Sequence, residues 1–196
     1  MKKFTLIWMI GLLPIFSLNA ATTTYKCGEN CTATLDENGV LRVSGTGKMN
    51  DYLNNREESP FYNNLAIKKI IVEEGITHIG QDIFCGCENL KHVELANSVQ
   101  KVGLYAFENI PNIQSITMSD TTVWSSQDEM NGYERSNVIK VYCRGDLEKC
   151  TTNLSKNQPA NLFKGAKSVY KGKRIYTIEE ANQVSGKQNT FMIRYK

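Results

Sequence analysis

A period of 23 residues limits what this chain can fold into more than any other feature. "IKKIIVEEGITHIG" begins at Ile67, "LKHVELANSVQKVG" at Leu90 and "IQSITMSD" at Ile113, each 23 residues after the last. In that frame Ile67, Leu90 and Ile113 align, as do Ile70, Val93 and Ile116, then Val72, Leu95 and Met118. The second half of the period also keeps register: Ile76 with Val99, Ile79 with Val102, Gly80 with Gly103, Phe84 with Phe107. A degenerate fourth copy holds the 23-residue phase at Ile139 and Val141. One such coil cannot cover both of its own apolar flanks. Stacking buries them and pairs the strands, so the spacing predicts a β-rich solenoid of about four 23-residue coils around a parallel β ladder, with a cap at each end.

The same frame interprets "FCGCENLKHVEL", in which two cysteines stand one residue apart just before a histidine. Cys87 aligns with Ile110 and Tyr133, an inward position, whereas Cys85 aligns with Glu108 and Asn131, an outward one. A free cysteine packs as a small hydrophobe, so Cys87 reads as core filling. A metal centre needs three or four ligands within tetrahedral reach, and His78 and His92 occupy different repeat positions. Cysteines on alternate faces also make a poor disulfide. No metal and no cofactor is expected.

The stretch "IKKIIVEEGITHIGQDIFCGCENLKHVEL" resembles the BspA-like leucine-rich repeats of bacterial and protist surface proteins. The residues carrying the resemblance are Ile79, Gly80, Phe84, Gly86, Cys87, Asn89 and Leu90, then Val102, Gly103, Ala106, Phe107, Asn112 and Ile113. "CGENCTATLDENGVLRVSGTGKMNDY" with "SPFYNN" is similar to the segment that commonly precedes such repeats, so the likeness spans about residues 27–124. It implies a right-handed solenoid with an extracellular binding or adhesion role, and it carries over no catalytic residue.

The ends add an address and two caps. "MKKFTLIWMIGLLPIFSLNAA" has the layout of a secretory signal peptide, with cleavage expected after Ala20, so residues 1–20 would be removed. Residues 21–62 are expected to form an N-terminal cap, because "TATLDENGVLRVSG" alternates on both sides of a glycine-containing turn. The solenoid would then occupy 63–143, and a basic helix-and-strand cap 144–196. That last segment holds a helix "LEKCTTNLSK" and two strands, "RIYTI" and "TFMIRYK". Six cysteines in an exported chain point to an oxidising compartment and allow fifteen connectivities. Two pairs close short loops, Cys27 with Cys31 and Cys143 with Cys150.

From Ala21 to Ser155 there are 12 basic and 18 acidic residues; from Lys156 to Lys196 there are 9 and 2. A basic tail on an acidic body can fold back on it or grip an anionic surface. No aromatic-interleaved basic motif points to nucleic acid. Arg144-Gly145-Asp146 matches a tripeptide read by some integrins, but Asp146 has a competing task as a helix cap.

The expected function is a non-catalytic secreted or surface module, a monomer with no membrane span after signal cleavage. It would bind an extracellular protein or glycan on its strand face. Stacked by 23, the outward residues form the rows Lys69, His92, Ser115, Val138; Ile71, Glu94, Thr117, Lys140; and Glu73, Ala96, Ser119, Tyr142. An exported inhibitor or a structural part of a surface assembly is the alternative. A thiol-dependent enzyme is less well supported, since no cysteine has a base or helix start beside it to stabilise a thiolate.

Overall fold

Residues 21–125, 139–145, 149, 168–170 and 190–195 are described by the structure, a computed structural model of the chain. β1 (Thr23–Lys26), β2 (Asn30–Leu35) and β3 (Val40–Lys48) form an antiparallel meander. The predicted turn at "DENG" closes because the Asp36 carboxylate accepts the amides of Asn38 and Val40, both at 2.9 Å. Gly39 there has a φ of +81°, which a side chain would resist.

β3 is also the first rung of the parallel ladder. Its free edge pairs with β4 (Lys69–Val72), placing Leu41 beside Ile70 and Val43 beside Val72. β6 (His92–Leu95), β8 (Ser115–Ser119) and β10 (Ile139–Arg144) follow in parallel, then β12 (Thr190–Tyr195) and β11 (Ser168–Tyr170). A second parallel ladder starts from the far end of β3. It runs through β5 (Ile76–Ile79), β7 (Lys101–Val102) and β9 (Val123–Trp124). The two ladders share β3 and enclose one apolar spine.

The spine follows the 23-residue period closely in the middle coils. Ile70 pairs with Val93 and Val93 with Ile116, and none of the three is more than 1% exposed. Behind them runs an aromatic column, Tyr25–Phe61–Phe84–Phe107–Trp124, with successive centroid distances of 5.3, 5.2, 5.4 and 5.8 Å. Offset and edge-on ring pairs of this kind add to the area they bury. Cys87 is fully buried among these residues, as its repeat position predicts. The "IG" of the repeat has a steric cause: a Cβ at Gly80 would run into the Asn50 carbonyl, because the preceding coil's backbone passes directly against it.

Three expectations need correction. The period stretches at the fourth rung: Ile116 pairs with Val141 and Met118 with Cys143, an offset of 25 residues rather than 23. An even slip preserves which side chains face inward, so the buried Cys143 takes the core place expected of Val141. Second, Cys27 and Cys31 are free thiols. The Cys31 sulfur is aimed across the sheet at the carbonyls of Thr46 and Lys48, 3.3 and 3.2 Å away. Third, Cys85 is not exposed; it is 1% accessible, under a polar cover described below. Cys143 is disulfide-bonded, while Cys150 lies outside the described residues.

The signal segment, the "LEKCTTNLSK" helix apart from Lys149, and the "RIYTI" strand also lie outside them, whereas β12 falls within "TFMIRYK". Among the described residues, no helix is long and apolar enough to cross a membrane.

Candidate functional site

The outward positions of the first ladder form a face of two continuous rows. One runs Thr34, Arg42, Ile71, Glu94, Thr117, Tyr142; the other runs Val40, Lys69, His92, Ser115, Lys140. The 25-residue step moves Tyr142 and Lys140 one row from where a strict period puts them. Val138 lies outside the described residues, as does the Lys140 side chain. Lys69 and Glu94 make an ion pair at 3.0 Å, each about one-third exposed. His92 Nδ1 and Ser115 Oγ share a 2.8 Å hydrogen bond. Burial, with Lys69 and Lys91 nearby, pulls the His92 imidazole below its ordinary value, so it is neutral at pH 7. Ile71 is half-buried and Glu73 exposed.

Thr117 departs from expectation: at 3% exposure it offers nothing to a ligand. It stands between the larger Glu94 and Tyr142 in its row. Ala96 and Ser119 are also buried, at 7% and 5%. Arg144, cross-strand from Ser119, sends its guanidinium back to the Leu95 carbonyl. That places the arginine of the Arg-Gly-Asp tripeptide against its own sheet.

The face begins earlier than the repeat does. Val40 and Arg42 on β3 continue its rows, and Arg42 is exposed. A search at 23 misses them because Leu41 precedes its partner Ile70 by 29 residues. Among the described residues nine strands lie side by side from β1 to β11, so at about 4.8 Å per strand this part of the sheet is roughly 38 Å across.

The extra length in the first coil holds a 3-10 turn, Arg56–Glu58, and Arg56 reaches across the two coils that follow. Its Nη1 donates to Glu108 Oε2 at 2.7 Å and lies 3.5 Å from Cys85 Sγ. Its Nη2 is 3.2 Å from Asp82 Oδ1. That last contact has the distance of an ion pair but not the angle of a hydrogen bond, so Asp82 Oδ1 is buried with no hydrogen-bond donor. Cys85 Sγ and Glu108 Oε2 are 3.7 Å apart. Burial, then Glu108, pushes the Asp82 carboxyl up, opposed by Arg56. Burial pushes the Cys85 thiol up to about 12, again against the pull of Arg56. A thiol so far from ionising is no nucleophile at neutral pH.

The family described as the BspA type leucine rich repeat region matches residues 48–170, in six copies. A leucine-rich repeat protein of known crystal structure from Eubacterium ventriosum is 23% identical, with a TM-score of 0.45. The similarity covers 66% of this chain and 42% of that one, so the chain spans less than half of that protein's length. No curated protein gives a significant match. With the family matched over well more than half its length, the chain belongs to the BspA-type leucine-rich repeat proteins.

Proposed function

We propose that the chain is a non-catalytic, secreted or surface-displayed binding module whose first-ladder face docks an extracellular protein. The observation carrying this reading is the row Arg42, Ile71, Glu94. It offers a guanidinium, an aliphatic side chain and a carboxylate on successive strands, with Lys69 and His92 beside it. Inward positions of the same strands are filled by the core, while these outward groups stay exposed or half-buried. Mixed chemistry on a broad, gently varied surface suits a protein partner, which covers about 800 Å² per side, better than an enclosed small molecule. Membership of a family of repeat proteins, and a Cys85 thiol that burial keeps protonated at neutral pH, support the same reading.

The test uses the mature chain on a sensor surface against extracellular-matrix and cell-envelope proteins. Changing Lys69, Glu94 and Lys140 together to alanine should weaken binding at least about tenfold, the loss of roughly 1.4 kcal/mol. The circular dichroism spectrum should not change. Undiminished binding by a folded triple variant would place the partner site elsewhere.

A further inference from the structure

We propose that Asp82, Cys85 and Glu108 form a binding site for one zinc-like divalent cation, which the Arg56 guanidinium occupies until the metal displaces it. The three side chains come from two consecutive coils, and Cys85 and Glu108 hold the same repeat position 23 residues apart. Their ligand atoms all lie within 4.8 Å of one another, and the residues are 1%, 1% and 8% exposed. The 3.7 Å between Cys85 Sγ and Glu108 Oε2 is close to the roughly 3.5 Å that separates a sulfur and an oxygen ligand on one tetrahedral zinc. Three protein ligands leave the fourth position to water, or to a group brought by a partner.

A second observation is independent of that spacing. Asp82 Oδ1 is shut off from solvent, accepts no hydrogen bond, and points at the place Arg56 Nη2 now fills. A buried carboxylate oxygen normally finds a donor, and one left without is poised for a cation. Charge counting agrees. Two carboxylates against one guanidinium leave one negative charge in a shielded place. With the metal bound and Cys85 as thiolate, the three ligands and the ion again sum to −1, so the exchange of Arg56 for the metal leaves the site's charge unchanged.

Arg56 is suited to leave. It sits on a short turn with no buried residues, and its side chain is one-third exposed. Sulfur among the ligands favours zinc over magnesium or calcium, which take oxygen alone. Binding replaces the Cys85 S–H bond with a metal–sulfur bond and releases the proton to the buffer. Affinity should therefore rise about tenfold per pH unit around neutrality.

Calorimetric titration of the full mature chain with Zn²⁺, repeated with Co²⁺ and followed by its thiolate charge-transfer absorption, tests this. One ion per chain is expected, with about one proton released. Cys85→Ser should weaken binding at least about 100-fold, and Arg56→Ala should tighten it by removing the competing cation. Glu108→Gln and Asp82→Asn should each weaken it at least about tenfold. The wild-type titration stands even if a variant fails to fold. A wild-type Kd above about 100 µM would overturn the proposal, as would tight binding that survives in folded Cys85→Ser.

Discussion

Replacing Phe84 with alanine is expected to lower the melting temperature by roughly 10–15 °C. The ring is fully buried between Phe61 and Phe107, at centroid distances of 5.2 and 5.4 Å. Removing it opens a cavity in the middle of a stack whose neighbours are held by their own coils and cannot close in. Phe-to-Ala changes at such positions cost about 3–5 kcal/mol. Whole domains are stable by about 5–15 kcal/mol, so much of the margin would go. Phe84→Leu, which keeps most of the volume, should cost less than half as much. Thermal and urea unfolding followed by circular dichroism measures both. A fall below about 3 °C for the alanine variant would mean that the column does not bear on stability.

Truncating Arg56 should also have a large effect, through what it leaves behind. Without the guanidinium, the Asp82 and Glu108 carboxylates, 1% and 8% exposed, face each other in a shielded place with no counter-charge. Breaking a buried ion pair on one side costs about 3–5 kcal/mol. Because the Arg56 side chain is one-third exposed, solvent screens part of this, and about 2–3 kcal/mol is the expected loss for Arg56→Ala. Burial already holds the Asp82 carboxyl above its ordinary value, and removing Arg56 would raise it further. The deficit should therefore shrink as pH falls through the carboxylate range, where the folded state takes up protons more readily than the unfolded chain. Urea unfolding of the variant at pH 7 and at pH 4.5 measures this. A pH-independent deficit would contradict it.

The middle of the fold was legible because the period there is undisturbed. Ile70, Val93 and Ile116 stand 23 residues apart and pair as that spacing requires. Legibility ended where the coils change length. Six more residues separate Leu41 from Ile70 than the period allows, which hid the first rung and the exposed Arg42 upon it. The excess includes the turn bearing Arg56, so the ionic clamp was hidden for the same reason. Two more residues before Val141 shifted Tyr142 and Lys140 between rows.

The outward repeat position of Cys85 does not make it exposed, since it is 1% accessible. Periodicity tells which way a side chain leaves the spine, and it is silent about what an inserted turn then lays over it. Thr117 illustrates the same gap, since alternation cannot foresee larger neighbours on both flanking strands. The Cys27–Cys31 expectation rested on short loop length alone, and the Cys31 sulfur turns instead toward two carbonyls of β3.

The account rests on successive coils lending one another a shared apolar interior through parallel pairing. A crystal structure of residues 21–196 tests that most directly. It should place Leu41, Ile70, Val93 and Ile116 in one column, with neighbouring strands about 4.8 Å apart and running the same way. An antiparallel pairing of β4 with β6, or a register that turns Val93 to solvent, would contradict it.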